Sequence, residues 1–589
     1  MSNKYILTLI IIVGLLVRIW GIGFGLPGTY GPSSEGIIIR NALSFGSGNL
    51  VPLYSTYGPI ASYILLIFYG LYYILGYFYG LFSSTQDFAI SYFIDPSIFY
   101  LIGRIINAII SSISIYLTYS LCNKLLSKHF SMLTALLFAL SYLPIAAGHI
   151  IMADNLCVLF NLLIMINLTT FYKTLNINNI LVSVFLGILS TLTKYYSILI
   201  FIPIIISLFY YYKKNRKNIF IIVSKIFIIC LGTLIIFAPY IFFHFNIFIQ
   251  DILMVLQVNE NSNSSFINNI ASYIYFLSNG WGFGPVFFIL SIVGIAVSIK
   301  RMQFQYILLI SFPLTFILYL SLNRYVARWL LQILPMFLIL CAIGTNYITS
   351  YIKNEFQRKL LILVIVFFGF TFIIPDVFHF LFLINKKDTR EIAYDWISEN
   401  IDESSIIILD SHCPPIRSNN ISLIKQWEIA RTDLKNLSIE SDKNLSLTRN
   451  KMMKMRLDAN KSFSGKKYYI IKLIHDFYQI KDEDGNSISP YRIGGDNYSK
   501  FDLAWYKSNG SNYMITSSFI YQRYYEKKQP NRIKGFYNEL FDNYELIKEI
   551  NPNGRNEIVK SKIVSRANIF SFHENSLRPG PIIRIYKLN

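Results

Sequence analysis

Residues 30–40 of the chain read YGPSSEGIIIR and directly follow a first apolar helix predicted over Tyr5–Leu26. A carboxylate, Glu35, and a guanidinium, Arg40, therefore stand just beyond the end of a hydrophobic span. A charge inside a bilayer costs about 2.5–3.5 kcal/mol at the centre of a helix, and such residues are usually retained for a function. We therefore interpret Glu35 as an acid at the mouth of a site on the outer face of a membrane.

The composition supports a membrane protein. Of the 589 residues, 54% are hydrophobic and only 15% are charged, and the mean hydropathy is +0.45. A soluble chain of this length is normally less apolar. The composition changes after residue 385, where charges become frequent and no uncharged run is long enough to cross a bilayer. We predict a membrane domain over 1–385 and a soluble domain over 386–589.

Apolar stretches long enough to span a bilayer recur through the first domain. They lie at 5–26, 98–122, 132–148, 154–173, 178–194, 196–212, 226–243, 282–300, 305–323, 329–349 and 359–384. A further stretch, 59–84, is rich in Tyr and Gly and is typical of an interfacial or re-entrant pair of helices. The sequence therefore predicts a polytopic α-helical protein with about 11 to 13 transmembrane helices.

The distribution of charge gives the orientation and excludes one class of partner. The formal net charge is +20, of which +8 lies in residues 386–589 and +12 in the membrane domain. Most basic residues of that domain fall in short loops that alternate between spans, which the positive-inside rule assigns to the cytoplasm. No long basic run or nucleic-acid motif is present, so no nucleic-acid partner is expected. The protein is predicted to be a multi-pass protein, with the plasma membrane as the expected location and the C-terminal domain outside.

The outward loops of this topology carry few basic residues. These are Arg40, Lys194, Arg324 and Arg328. Basic residues are normally rare in outward loops. Those that occur there need another explanation, and one explanation is that they bind an anionic group. The alternative is that they are helix-end residues reaching to lipid headgroups.

The C-terminal domain shows alternating helical and strand patterns. Residues 388–400 have apolar positions at helical spacing. Residues 405–410, 468–473 and 513–516 are short apolar runs typical of buried strands. This alternation predicts a small α/β domain. The five cysteines are scattered without metal spacing, and neither a metal nor a cofactor is expected.

A series of short motifs occurs in a fixed order along the membrane domain. The motifs are Arg18, the run Ser34–Leu43 (SEGIIIRNAL), Tyr57-Gly58-Pro59, Gly103-Arg104, His149–Asp154 (HIIMAD), Thr193-Lys194-Tyr195, Arg324–Arg328 (RYVAR) and Asp388-Thr389-Arg390. Together they resemble the family 39-type glycosyltransferases of the GT-C class, which include the protein O-mannosyltransferases. The resemblance covers the membrane domain and the start of the soluble one.

The resemblance implies a glycosyltransferase that uses a polyprenyl-phosphate monosaccharide and transfers the sugar to an acceptor hydroxyl with inversion. Such chemistry needs a carboxylate to accept a proton and cations to stabilise the departing phosphate. Glu35 and Asp154 are the acid candidates. The candidates for substrate binding are Ser34, Arg40, Tyr57, His149, Lys194, Arg324 and Arg328. Three acceptor classes, protein, lipid and glycan, are compatible with the resemblance, and the lipid bilayer is an expected partner.

Several alternatives remain open at this stage. Glu35 also suits the first turn of a helix, and Asp154 suits a helix N-cap. The family has an Asp-Glu pair where this chain has Ser34-Glu35, and a serine hydroxyl is not a general base without help. A catalytically impaired scaffold is therefore one rival. A transporter or flippase of lipid-linked sugars is the other, with Arg18 as its nearest intramembrane charge.

Overall fold

A computed structural model describes the protein. It covers residues 3–30, 33–48, 51–53, 57–215, 219–245, 248–249, 265–323, 325–436, 443–473, 480–481, 487–488, 501–526, 531–554 and 576–589.

The first 385 residues form a helical bundle. Its helices are α1 (Asn3–Ile19), α2 (Ser33–Gly46), α3 (Ile60–Phe78), α4 (Thr85–Ile94), α5 (Ser97–Asn123), α6 (Lys128–Leu140), α7 (Tyr142–Gly148), α8 (Ala153–Thr174), α9 (Ile177–Thr193), α10 (Phe201–Asn215), α11 (Ile219–Phe237), α12 (Tyr240–Phe243), α13 (Phe266–Ser278), α14 (Gly284–Arg301), α15 (Phe304–Leu322), α16 (Leu334–Ser350) and α17 (Glu355–Leu383). Two 3-10 turns, Tyr195–Ile200 and Ala327–Gln332, precede α10 and α16.

The bundle is a multi-pass membrane structure. Within the described ranges, eight helices are long and apolar enough to cross a membrane, or nine when α6 and α7, which meet at 54°, count as one span. The outward surfaces of α11 and α17 carry large apolar side chains such as Ile228 and Phe367, whose exposed fractions are 67% and 66%. Such surfaces are stable against lipid rather than water, because the backbone polar groups are satisfied within the helices.

Contacts between helix ends define the two faces of the bundle. At one face, the His149 ring at the end of α7 contacts the Trp20 carbonyl beyond α1, and Asp154 at the start of α8 contacts Lys194 at the end of α9. We call this end the site face. At the opposite end, Lys173 in the last turn of α8 donates to the carbonyl of Lys124, the residue that follows α5. We call that end the basic face, because most basic loop residues lie there.

Helix α3 lies along the site face. The backbone at Gly58, just before α3, packs against the Leu192 carbonyl near the end of α9. The Tyr69 hydroxyl donates to the Phe99 carbonyl at the start of α5, at 2.9 Å. Both anchor points are on the same face, so α3 runs along that face between the end of α9 and the start of α5. The helix would nevertheless be long enough to cross a membrane. The stretch 59–84 thus contains one continuous helix rather than the expected pair.

The C-terminal region is an α/β domain, as the strand and helix patterns predict. Its helices and strands are α18 (Thr389–Asn400), β1 (Ile406–Leu409), β2 (Arg417–Ser418), α19 (Asn420–Asn436), α20 (Lys443–Ser462), β3 (Lys467–Lys472), β4 (Ile480–Lys481), β5 (Ser487–Ile488), α21 (Leu503–Ser508), β6 (Tyr513–Ser517), α22 (Ser518–Glu526), α23 (Asn531–Asn543), β7 (Glu545–Ile550) and β8 (Ile583–Lys587).

The main sheet has six strands in the order β2-β3-β1-β6-β8-β7. The first four are parallel, whereas β8 pairs antiparallel with β6 and β7. Ile407 and Ile408 of the central strand β1 are fully buried, as expected for a strand covered on both faces. The carboxyl ends of the parallel strands therefore form one edge, where polar side chains collect.

The C-terminal domain docks onto the site face. The Arg390 guanidinium pairs with Asp388 at 2.7 Å and lies over the Tyr30 ring, 4.4 Å from its centroid. Farther along, Arg417 donates to the backbone carbonyls of Phe93 and Ile94 at the end of α4, at 2.8 and 2.6 Å. The domain thereby contacts the segments that follow α1 and α3 at the site face.

Candidate active site

The first acidic position is a buried ion pair. Glu35 lies in the first turn of α2, and Arg104 lies seven residues inside the long apolar helix α5. Arg104 Nε and Nη2 donate to the two Glu35 carboxylate oxygens at 2.8 and 2.9 Å, and both side chains have an exposed fraction of 0%. This bidentate geometry is the strong form of a carboxylate–guanidinium contact.

The remaining hydrogen-bonding groups of this pair are also engaged. Arg104 Nη1 donates to the carbonyls of Ile22 and Phe24, at 2.9 and 2.8 Å. The Ile151 backbone N–H donates to Glu35 Oε1 at 3.0 Å. The pair therefore ties together the loop after α1, the start of α2 and the loop before α8. In the sequence, Arg104 is recognisable only as part of the Gly103-Arg104 motif, although an arginine within an apolar helix indicates a buried partner.

The second acidic position is three residues beyond Ile151. Asp154 lies in the first turn of α8, where the helix N-terminus favours a negative charge, and Lys194 caps the C-terminus of α9, which favours a positive one. Lys194 Nζ donates to Asp154 Oδ2 at 2.6 Å. The Tyr196 hydroxyl donates to Asp154 Oδ1 at 2.9 Å. Tyr196 was not among the residues predicted from the sequence.

Aromatic rings surround the ammonium group of Lys194. Its Nζ lies 5.6 Å from the centroid of the Tyr57 ring and 4.8 Å from that of the Tyr196 ring. Tyr57 reaches this position because a Cβ at Gly58 would lie 1.7 Å from the Leu192 carbonyl oxygen, so only glycine allows the approach. Trp329 packs on Tyr196, with ring centroids 5.0 Å apart.

The 3-10 turn that carries Tyr196 is held by a polar network that sequence analysis missed. The Ser197 hydroxyl donates to Gln332 Oε1 at 2.8 Å, and Asn161 Nδ2 contacts the same oxygen at 3.4 Å. The Ser190 hydroxyl donates to Asn161 Oδ1 at 2.9 Å. These contacts hold the 3-10 turn before α10 against the 3-10 turn before α16. The second of these turns also carries Arg328. No local sequence pattern identifies such a network.

The other candidate residues are placed as follows. Ser34 is buried, and its hydroxyl has no hydrogen-bond partner among the described residues. Arg40 is half-buried and lies over Gly36 beside the Tyr100 hydroxyl. Arg328 is half-buried and lies in the 3-10 turn whose Trp329 packs on Tyr196. Arg324 lies outside the described residues.

His149 is fully buried and engaged with backbone. Its Nδ1 lies 2.8 Å from the Ile145 carbonyl oxygen, and its Nε2 lies 2.9 Å from the Trp20 carbonyl oxygen. The ring also packs edge-on against Phe380. These contacts connect α7 to the loop after α1 and to α17.

The structure thus brings two of the predicted charged groups, Asp154 and Lys194, into direct contact beside Tyr57. Glu35 joins them through the backbone of Ile151 rather than through a side-chain contact. Over the described part of the chain, no group of three or more His, Cys, Asp or Glu side chains is placed to hold a metal ion.

Comparisons with known proteins agree with this architecture. Residues 100–243, about a quarter of the chain, match the family profile of dolichyl-phosphate-mannose-protein mannosyltransferases. No curated protein sequence matches the chain. The apo oligosaccharyltransferase of Archaeoglobus fulgidus aligns over 89% of this chain and 70% of its own, with 12% identity and a TM-score of 0.51. ArnT of Cupriavidus metallidurans, solved with undecaprenyl phosphate, aligns over 100% of this chain and 99% of its own, with 10% identity and a TM-score of 0.45.

The chain therefore has the fold of the GT-C glycosyltransferases. The resemblance found in the sequence is confirmed. The residues that match the family profile, 100–243, run from α5 to α12 of the bundle.

Proposed function

We propose that the protein transfers a monosaccharide from a polyprenyl-phosphate-linked donor to an acceptor hydroxyl at the site face. The observation that carries this proposal is the contact of Asp154 with Lys194 and Tyr196 at the ends of membrane helices. A carboxylate and an ammonium group side by side supply both functions that the reaction needs. The family profile that matches residues 100–243 is that of enzymes named for a dolichyl-phosphate sugar donor, which supports the same chemistry.

The proposed reaction is a single displacement. The acceptor oxygen forms a bond to the anomeric carbon while the bond from that carbon to the phosphate oxygen breaks, and the electron pair leaves with the phosphate. The Asp154 carboxylate accepts the hydroxyl proton. The Lys194 ammonium, with Arg328 nearby, stabilises the negative charge that accumulates on the phosphate. One displacement inverts the anomeric configuration.

Glu35 has a positioning role in this proposal. Its two oxygens accept three hydrogen bonds, two from the bidentate Arg104 guanidinium and one from the Ile151 N–H, whereas each Asp154 oxygen accepts one hydrogen bond. The pair fixes the loop that leads into Asp154. The neighbouring Ser34 hydroxyl, buried and unpartnered in the described part of the chain, is assigned to contact a substrate hydroxyl.

The site face is the outer face in this proposal. The opposite end of the bundle carries Lys124, Lys173 and Lys214, as well as Arg301 and Arg358, and basic loops remain in the cytoplasm. The C-terminal domain would then lie outside the cytoplasm, above the site. Accessibility labelling of a single cysteine introduced at exposed Glu399, in a variant whose native cysteines are replaced, tests this orientation directly.

Transport of a lipid-linked sugar is not favoured by the structure. Arg18 of α1 is fully buried, and it donates to Ser111 Oγ and to the carbonyls of Gly14 and Ala139, at 2.8, 2.8 and 3.0 Å. These contacts make it a link between α1, α5 and α6 rather than part of a translocation path.

The decisive experiment uses the full chain in proteoliposomes with radiolabelled polyprenyl-phosphate sugars and a mixture of hydroxyl acceptors. Asp154→Asn should reduce transfer by a factor on the order of 10²–10⁴, the usual contribution of a general base. Glu399→Gln, an exposed acid on α18, is the matched control and should transfer normally. Normal transfer by Asp154→Asn, or donor translocation without any transfer by the unmodified protein, would overturn the proposal.

A further inference from the structure

The 3-10 turn Ala327–Gln332 carries two buried side-chain donors that the described residues leave unused. Neither Trp329 Nε1 nor Gln332 Nε2 has a hydrogen-bond partner in the described part of the chain. Trp329 has an exposed fraction of 8%, and Gln332 is fully buried. Residues three positions apart in a 3-10 helix lie one above the other, so both side chains are on the same side of the turn. Buried N–H groups without a partner are rare in folded proteins, and a pair of them on one side of a turn requires an explanation.

Trp329 lies within one side chain of both charged groups of the site. Its ring packs on the Tyr196 ring, with centroids 5.0 Å apart. The Tyr196 hydroxyl donates to Asp154 Oδ1 at 2.9 Å, and the Tyr196 ring centroid lies 4.8 Å from Lys194 Nζ. A ligand held by the Asp154–Lys194 pair therefore lies next to the side chains that pack around Tyr196.

Gln332 is held in a way that uses its amide oxygen and leaves its amide nitrogen. The Ser197 hydroxyl donates to Gln332 Oε1 at 2.8 Å, and Asn161 Nδ2 contacts the same oxygen at 3.4 Å. Two groups on two other helical segments thus fix the amide. Because Gln332 and Trp329 belong to the same short turn, these contacts also hold the Trp329 backbone against the turn that carries Tyr196.

The chemistry of the unused groups favours an anion over a neutral sugar hydroxyl. An indole N–H and an amide NH2 only donate, and the Lys194 ammonium also only donates. A sugar hydroxyl both donates and accepts, so it would need an acceptor as well, and Gln332 Oε1 is already engaged by two groups. The oxygens of an ionised phosphate only accept. A phosphate beside Lys194 therefore matches the unused groups of this turn.

We propose that the Trp329 indole N–H donates a hydrogen bond to a phosphate oxygen of the lipid-linked donor, with the Gln332 amide as the next donor along the turn. The inference rests on the proposed function and deepens it, because it assigns the departing phosphate neutral donors besides the Lys194 cation. A neutral N–H group can bind a phosphate oxygen without adding a charge to the membrane domain, where each further charge is costly.

The test measures binding by the full chain in nanodiscs of phosphatidylcholine, with undecaprenyl phosphate as the probe and undecaprenol as the phosphate-free probe. Trp329→Phe removes the N–H group and keeps an aromatic ring on Tyr196. It should weaken the binding of undecaprenyl phosphate by about tenfold, since a charge-assisted hydrogen bond is lost. Undecaprenol binding should be unchanged. Adding Gln332→Met, which removes the second donor, should weaken the binding of undecaprenyl phosphate further.

Trp281→Phe is the matched control, because it makes the same chemical change in another part of the bundle. Trp281 is half-buried in the turn between α13 and α14, where the neighbouring Gly280 lies against Asp376 of α17. Thermal unfolding in detergent checks that Trp329→Phe is folded. If it is not, replacement of Trp329 by benzothienylalanine makes the same test, since a sulfur atom takes the place of the N–H in a ring of the same shape.

Three results would overturn the inference. The first is native-like binding of undecaprenyl phosphate by a folded protein without the Trp329 N–H. The second is an equal loss of undecaprenol binding, which would show that the ring contacts the hydrocarbon chain. The third is an equal loss of undecaprenyl phosphate binding in Trp281→Phe.

The inference and the proposed function fail in different ways. Asp154→Asn should keep the binding of undecaprenyl phosphate while losing transfer. If it transfers normally, the proposed function fails, whereas weaker binding by Trp329→Phe still supports the phosphate contact. If transfer follows the proposal but Trp329→Phe binds undecaprenyl phosphate normally, only the Trp329 contact fails.

Discussion

Two buried ion pairs of the site face, Glu35–Arg104 and Asp154–Lys194, differ in how many of their hydrogen-bonding groups are used. Glu35 and Arg104 use both carboxylate oxygens and three guanidinium nitrogens on one another and on neighbouring backbone, and neither side chain is exposed. Lys194 makes one hydrogen bond to Asp154 within the described residues, and two aromatic rings lie beside it. Its ammonium group has three donors. The Lys194 side chain also retains an exposed fraction of 6%.

This difference separates a structural pair from a reactive one. A fully saturated buried pair holds chain segments in place, and breaking it leaves an uncompensated charge. A pair with unused donors beside aromatic rings can bind a further anion without first being dismantled. The following variants test this distinction, from the largest expected effect to the smallest.

Removing one member of the Glu35–Arg104 pair should unfold much of the site face. Arg104→Met leaves the Glu35 carboxylate buried without its partner, at a cost of about 3–5 kcal/mol. Thermal unfolding in detergent should show a large drop in midpoint. The double variant Arg104→Met/Glu35→Gln removes both charges and should recover part of the loss.

A matched control is the exposed pair Lys359–Glu355, whose side chains are 72% and 80% exposed. Lys359→Met should leave the unfolding midpoint near that of the native protein, because exposed pairs contribute little. A native-like midpoint for Arg104→Met would contradict the structural role of the Glu35 pair.

Removing the ammonium group of Lys194 from the Asp154–Lys194 pair should affect the reaction more than the fold. Lys194→Met should reduce kcat for sugar transfer by roughly 10²–10³, as for the loss of one preorganised electrostatic group. Lys386→Met is the control, because exposed Lys386 lies at the same face and contacts the Phe382 ring. Should Lys194→Met instead transfer at the native rate, the phosphate role assigned to Lys194 is wrong.

Displacing Tyr57 should have a smaller effect. Gly58→Ala places a Cβ against the Leu192 carbonyl and forces the Tyr57 segment away from Lys194. A shift of about 1 Å in positioning groups lowers rates by roughly 10- to 100-fold. Gly70→Ala on α3 is the control, since a Cβ there meets nothing within 4 Å. Initial-rate measurements in proteoliposomes compare the two, and equal rates would remove Tyr57 from the site.

The sequence by itself determined the class of the molecule. Apolar runs of spanning length predict helices whatever their neighbours, because backbone polar groups must be satisfied internally in lipid. The α/β nature of the C-terminal domain followed from the local spacing of apolar residues, and β1, β3 and β6 lie where the apolar runs are. The stretch 59–84 was less certain, since composition does not show whether an apolar helix crosses a bilayer or lies along its face.

Only the tertiary structure decided which charges meet. Glu35 and Arg104 are 69 residues apart, and Asp154 and Lys194 are 40 apart. Partners so distant along the chain leave no periodic signal in one sequence. The sequence selected Glu35, Asp154 and Lys194 because a charge near a membrane requires a reason. Only the packing of the helices pairs Glu35 with Arg104, and only the packing leaves Lys194 with hydrogen-bond donors that the described residues do not use.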